Sequence, residues 1–102
     1  MFTVPNRDFS DFTDAHIMLS NKQLESSNGN VVHGAMMNAT TRYGAWLAAE
    51  MAPDKAEMQE SREKTIEFFT AEFQRRFTEH FDDYLNNFER FKATGRTADL
   101  LK

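Results

Sequence analysis

The stretch "FFTAEFQRRFTEHFDDYLNNFERF", residues 68–91, holds seven of the ten phenylalanines in the chain, together with a tyrosine and a leucine. Its large apolar residues recur every three or four positions, which is the period of one face of an α-helix. The stripe consists of Ile66, Phe69, Phe73, Phe77, Phe81, Tyr84, Phe88 and Phe91. The spacing predicts a long amphipathic helix, whose apolar face must be covered by the rest of the chain or by another protein.

Two shorter helices are predicted before this stripe, at about residues 10–26 and 31–51. Apolar residues at helical spacing, with His16 among them, define one face of the first helix. The segment "SSNGN" at residues 26–30 separates the two helices, with Gly29 as a helix terminator and Asn30 as the next N-cap. The second helix contains Gly34 and Gly44, and a close helix contact would explain a glycine at either position.

The third helix is predicted over about residues 54–94. Pro53 interrupts the second helix, and Asp54 with Glu57 three residues later resembles a capping box. The fold class is therefore all-α: a helical hairpin and a long, possibly bent third helix form one domain over residues 1–102, with short terminal tails. A helix of forty residues is about 60 Å long, roughly twice the length of either helix of the hairpin.

That difference in length leaves two alternatives open for the aromatic side chains in the C-terminal half of the third helix, which we call the distal rings. Either the third helix is broken near Thr78–Asp83 and folds back, or a second subunit covers its distal half. Because an exposed apolar patch of this size is unusual on a soluble monomer, we expect a homodimer. The predicted dimer contact consists of Phe81, Tyr84, Leu85, Phe88 and Phe91.

Composition restricts the class of partner. The net charge is −4 and the pI is near 5.3, so we expect no nucleic-acid partner, because phosphate binding favours a basic surface. No apolar run is long enough for a membrane span, and the first residues do not resemble a secretory signal. There is no cysteine, which is compatible with the expected cytoplasmic location.

Chemistry-bearing motifs are scarce. The three histidines do not follow a metal-ligand spacing, and no nucleophile turn or phosphate loop occurs. We therefore predict no catalytic residue, no metal and no cofactor, and we expect that the protein is not an enzyme. The alternative is a helical bundle that binds a small molecule or a metal, or an enzyme. Its candidate polar site consists of Arg42, Asn21, Gln23 and His16.

Arg42 is the charged residue that bears most directly on this alternative. It lies at the edge of the apolar face of the second helix, one turn from Trp46. Its guanidinium could form a bidentate ion pair with a carboxylate, or its stem could lie along the surface. A structural role and a binding role both remain open at this stage.

Three segments carry a resemblance to a known family. They are "NKQ" at residues 21–23, "NVVHGAMMNATTRYGAWLAA" at residues 30–49 and "FDDYLNNFERF" at residues 81–91. Together they resemble the domain-of-unknown-function family 3144, a family of small, mainly proteobacterial proteins, from about Phe9 to Phe91. The matching positions are Asn21, Gln23, Arg42, Tyr43, Ala45, Asp83, Tyr84, Asn87 and Phe88. Gly44 departs from the asparagine expected there.

The resemblance implies an all-α fold and a bacterial cytoplasmic setting, and it implies no activity, cofactor or catalytic residue. The sequence therefore does not specify a biological role. It predicts a small cytoplasmic helical protein that acts through protein–protein contact, either as a homodimer or with a further protein partner.

Overall fold

The computed structural model describes the backbone of residues 7–94 and the side chains of residues 8–93, and every regular element in this part is helical. The helices are α1 (Arg7–Leu24), α2 (Gly29–Met51), α3 (Lys55–Glu60), α4 (Arg62–Asn86) and α5 (Phe88–Thr94). The prediction of an all-α fold is therefore confirmed. Helix α1 begins at Arg7, inside the predicted N-terminal tail, and the rest of the predicted tails, residues 1–6 and 95–102, lie outside the described residues.

The turn between α1 and α2 is organised by Asn28. Its Oδ1 accepts a hydrogen bond from the backbone N–H of Val31 at 3.0 Å, and its carbonyl accepts one from Val32 at 3.0 Å. Asn28 is therefore the N-cap and α2 begins at Gly29, so the prediction that Asn30 caps this helix is wrong. Both asparagines are suitable by residue type, but only Asn28 lies directly before the first helical turn.

The start of α3 agrees with the sequence. Asp54 has extended backbone angles, φ −155° and ψ 173°, and its Oδ1 accepts a hydrogen bond from the backbone N–H of Glu57 at 2.8 Å. This carboxylate satisfies a donor that the helix itself leaves free, and it lies at the positive end of the helix dipole. The predicted cap is confirmed.

Replacing Asp54 with alanine should lower the free energy of unfolding by about 1 kcal/mol, because the first turn of α3 loses its side-chain acceptor. Urea denaturation followed by circular dichroism measures this difference. Asp54→Asn is the matched control, since its amide oxygen can accept the same hydrogen bond, and it should retain most of the stability. Equal losses in both variants would contradict a capping role.

The predicted long third helix is interrupted at Ser61 and Asn87, and α4 is continuous through Thr78–Asp83. At both interruptions a short polar side chain bonds to the preceding turn. The Ser61 hydroxyl donates to the carbonyl of Met58 at 3.1 Å, and Asn87 Nδ2 donates to the carbonyl of Asp83 at 2.9 Å. Similar bonds occur at Thr13, Ser20 and Thr41 inside uninterrupted helices, so they accompany the two interruptions without explaining them.

The chain divides into two units. One comprises Met1–Met37 and Glu89–Lys102, and the other comprises Asn38–Phe88. The second unit therefore contains the C-terminal part of α2, together with α3 and α4. Within it, α2 and α4 approach each other at Gly44, where a Cβ atom built on the glycine would lie 3.8 Å from the ring of Phe69.

In the first unit, the sequence misjudged which face of α1 is covered. His16, which was assigned to the apolar face, is exposed, and so is Phe12 one turn before it, whereas Ile17, Asn21 and Leu24 are half-buried. These three residues also recur every three or four positions, so α1 has two faces with helical spacing that lie next to each other. The second of these faces is the one that is packed. Val32 on α2, 8% exposed, is the one buried apolar side chain in the part that the structure describes.

The two glycines of α2 allow a paired test. Replacing either with alanine should raise the free energy of unfolding by roughly 1 kcal/mol through helix propensity. The free energy of unfolding should rise somewhat more for Gly44→Ala, because the added methyl would make an ordinary van der Waals contact with Phe69. Gly34 faces open space. Thermal unfolding of both variants measures the difference, and a destabilised Gly44→Ala would refute this geometry.

Candidate functional site

The most prominent surface feature is a row of exposed apolar side chains along α4 and at the start of α5. We call these six residues the aromatic stripe: Ile66, Phe73, Phe77, Phe81 and Leu85 on α4, and Phe88 on α5. Phe81 is 59% exposed and Leu85 is 61% exposed, and the other members lie between 46% and 50%. All six residues belong to the unit formed by residues 38–88.

The stripe occupies one side of α4, and the packed side is adjacent to it. At about 100° of rotation per residue, the six members fall within an arc of roughly 120°. Thr65, Phe69 and Arg76 fall outside this arc on one flank, and all three are half-buried. The helix therefore packs within its own unit along that flank, through contacts such as Phe69 with Gly44, and it leaves the stripe uncovered.

The rings of the stripe form a stacked series. The centroids of Phe73 and Phe77 are 5.6 Å apart with an angle of 21° between the ring planes. The centroids of Phe77 and Phe81 are 6.2 Å apart at 28°. Stacking at these separations adds to the stability of each pair and restricts the rings.

Charged residues cluster away from the stripe. Glu72 forms ion pairs with Arg75 at 3.2 Å and Arg76 at 3.4 Å, and Arg75 also pairs with Glu79 at 3.1 Å. The hydrogen bond from Arg75 lowers the pKa of Glu72, and the same bond raises the pKa of Arg75. These pairs are solvated and contribute little to stability, so they mainly keep the back of α4 hydrophilic.

The residues predicted for a dimer contact differ in exposure. Phe81, Leu85 and Phe88 are exposed members of the stripe, whereas Tyr84 and Phe91 are half-buried. Phe91 lies on α5, in the part of the chain that belongs to the first unit.

Ile66, Phe73 and Phe77 are also exposed, but the sequence argument had assigned them to the core of the chain. The signal that could have identified them is the unbroken period of the stripe. That period gives no reason to divide the row into a covered half and an uncovered half.

The residues of the candidate polar site do not share one face. His16, Asn21 and Gln23 all lie on α1, and the rotation per residue places His16 and Gln23 together and Asn21 well over 90° away. His16 and Gln23 are exposed. Asn21 is half-buried, and its Nδ2 atom is buried without a hydrogen-bond partner.

Arg42 lies on α2 with its side chain exposed, and within the described residues it forms no ion pair. Its neighbours Tyr43 and Trp46 are also exposed, with ring centroids 5.4 Å apart. Within residues 8–93, therefore, no carboxylate forms the bidentate ion pair that was considered for Arg42. Arg42, Tyr43 and Trp46 instead form a small exposed surface beside the packed side of α2.

Two searches of the described residues were negative. Nowhere between residues 8 and 93 do three or more histidine or acidic side chains come together in a way that could hold a metal ion. Within the same part of the chain, none of the helices combines the length and the apolar character that crossing a membrane requires.

Comparison with known proteins identifies the family. The DUF3144 family, described as a protein of unknown function, matches residues 9–85. The chain belongs to this family. No curated protein and no solved structure matches the chain. The DUF3144 match begins at the residue expected from the resemblance but ends at Leu85, so Asn87, Phe88 and Phe91 lie beyond it.

The DUF3144 region includes α2 and α3 and nearly all of α1 and α4. It therefore contains five of the six members of the aromatic stripe, together with Arg42, Asn21, Gln23 and His16. The family description assigns no activity to any of these residues.

Proposed function

We propose that this protein acts through protein–protein contact and that its aromatic stripe on α4 is the contact surface of a homodimer. The observation that carries the proposal is the exposure of six large apolar side chains on one side of the same stretch of chain, each at least 46% exposed. Amphipathic helices are normally stabilised by burying such a face, and here the packed side of α4 is the adjacent flank.

The size of the stripe supports a stable contact. A phenylalanine side chain offers about 150–250 Å² of surface, so a half-exposed ring leaves about 100 Å² accessible. Six such residues amount to about 600 Å² on each chain, which is at the upper end of the apolar patches seen on soluble monomers. Two copies would bury about 1,200 Å² in total, the lower limit for specific protein interfaces.

A second copy is the partner that this surface fits best. Two-fold dimers are the commonest oligomers, and they need one surface that is complementary to itself. An apolar row with four-residue spacing meets this requirement, because the inclined ridges of two such helices can pack into each other's grooves. We also place the protein in a bacterial cytoplasm, a proposal supported by its cysteine-free composition and by the resemblance described above.

Sedimentation equilibrium over a wide range of protein concentration tests this proposal. We expect a dimer mass at high concentration, and a midpoint of urea unfolding that rises with protein concentration, because folding and pairing are then linked. A monomer mass throughout the range, with a midpoint independent of concentration, would refute the homodimer. The surface would then belong to a different protein partner.

A further inference from the structure

A second exposed surface lies on α2, and the proposed homodimer does not use it. We call it the Trp46 row: Arg42, Trp46 and Glu50, which follow one another at four-residue spacing along one side of the helix. Trp46 is 51% exposed, and Arg42 and Glu50 are exposed as well. Tyr43 flanks the row, with its ring centroid 5.4 Å from that of Trp46. The row therefore presents an aromatic surface between two charges of opposite sign.

Neither charge of the Trp46 row is satisfied by the described chain. Within residues 8–93, Arg42 and Glu50 form no ion pair with each other or with any other side chain. They are eight residues apart, about 12 Å along the helix axis, and the ring of Trp46 stands between them. A partner that brought a carboxylate to Arg42 and a cation to Glu50 would be complementary to both ends of the row.

The Trp46 row and the aromatic stripe point in different directions within the unit formed by residues 38–88. Gly44 is the residue of α2 that lies against Phe69 of α4, and Trp46 follows it by two residues, a rotation of about 200°. Trp46 is therefore on the side of α2 that faces away from α4. The stripe is centred roughly 90° from Phe69 around α4, so a molecule bound to the row would leave the stripe accessible.

The order of the charges makes the Trp46 row complementary to itself. When one copy is turned end for end about Trp46, Arg42 of each copy lies opposite Glu50 of the other, and the two indole rings meet at the centre. Rows with four-residue spacing lie along each other when two helices cross at about 50°, which is the commonest crossing in globular proteins. A parallel arrangement would instead bring like charges to the same level, which is unfavourable. One second copy thus supplies both missing charges.

We propose that the Trp46 row is a second two-fold contact between copies of this chain, through which two dimers formed by the aromatic stripe associate into a tetramer. The tetramer rests on the proposed homodimer, whereas the contact itself does not require the stripe. The two half-exposed rings and the two charged side chains offer about 400 Å² on each chain. Two copies would bury about 800 Å² in total, less than stable interfaces do. The dimers should therefore associate only at concentrations above those at which the dimer itself is complete.

Trp46 is the only tryptophan in the chain, so its fluorescence reports directly on this contact. The test compares the unaltered chain with a variant in which Phe77 and Phe81 of the stripe are replaced by serine. At high concentration, sedimentation equilibrium should show a tetramer of the unaltered chain and a dimer of the variant. In both proteins the emission of Trp46 should move to shorter wavelength as concentration rises, because water leaves the ring.

The outcomes separate this inference from the proposed homodimer. An unaltered chain that remains a dimer, a variant that remains a monomer and an unchanged emission of Trp46 would overturn the inference, while the homodimer would stand. If both proteins form dimers of equal strength and neither forms a larger species, the Trp46 row is supported and the stripe contact is refuted. Monomers of both proteins throughout the range would refute the two contacts together.

Charge exchange tests the ion pairs of the contact. In the stripe variant, Arg42→Glu and Glu50→Arg should each weaken association on the order of tenfold, because the symmetry repeats each unfavourable contact. Combining both changes should bring the dissociation constant back to within about threefold of its starting value. Lys22→Glu on α1 is the matched control, since it is an exposed position and gives the same change in net charge as Arg42→Glu.

Lys22→Glu should leave the association unchanged, and circular dichroism establishes that every variant is folded. If the effects of the two single changes simply add in the double variant, Arg42 and Glu50 do not face each other and the inference fails. An equal loss of association in Lys22→Glu would also overturn it, because net charge would then explain the effect.

Discussion

Replacing Phe77 and Phe81 together with serine should leave the chain monomeric at concentrations where the unaltered chain is a dimer. Each ring is about half exposed, and covering the exposed half contributes roughly 1 kcal/mol. Two rings from each copy therefore contribute about 4 kcal/mol, and their loss should raise the dissociation constant roughly a thousandfold. Sedimentation equilibrium of the two proteins at matched concentrations measures this change.

Phe12→Ser is the matched control for this experiment. Phe12 is 64% exposed, more than either ring of the double variant, but it lies on α1 and is not part of the aromatic stripe. It should leave the dissociation constant nearly unchanged. If Phe12→Ser weakened the dimer as strongly as the double variant, general surface hydrophobicity would explain the association and the stripe would lose its role.

Phe69→Ala should destabilise the unit formed by residues 38–88 by about 2–3 kcal/mol. The ring of Phe69 is half-buried, lies over Gly44 of α2 and meets Phe68 edge-on, with ring centroids 5.2 Å apart. Because the facing position is a glycine, no side chain can move into the space that the ring leaves. Urea unfolding in the Phe77→Ser, Phe81→Ser background isolates this effect from dimerisation.

Phe73→Ala provides the comparison on the same helix. Phe73 is 50% exposed and belongs to the stripe, so in the monomeric background its removal should cost less than 1 kcal/mol. In the otherwise unaltered chain, the dissociation constant of the dimer is compared instead of the stability. Phe73→Ala should raise this constant more than Phe69→Ala does. Equal stability losses in the monomeric background would show that α4 packs on both sides.

Much of the fold could be predicted because it depends on local chemistry. The period of the phenylalanines indicated α4, and Asp54 was recognised as a cap because its side chain reaches an N–H three residues away. A close helix contact was considered for both glycines of α2; the structure has a neighbour at Gly44, at an ordinary contact distance, and none at Gly34. These features involve residues a few positions apart, or a single residue whose properties admit few alternatives.

The location of the exposed surface was predicted only in part. The ratio of the helix lengths predicted uncovered rings only in the distal half of the third helix. Phe69 belongs to the same periodic row as Phe73 and Phe77, so spacing alone could not show that α4 packs on the side of Phe69.

By itself, the sequence determined the all-α class, the cap of α3, the period of the aromatic stripe and the family. Each of these follows from residue type and spacing along the chain. Only the tertiary structure decided which flank of α4 is packed, which stripe of α1 is covered, and that Arg42 is exposed without an ion pair among the described residues. These features depend on which residues of other helices lie nearby. Helical spacing defines the apolar face of a helix, but it does not determine which other helix packs against that face.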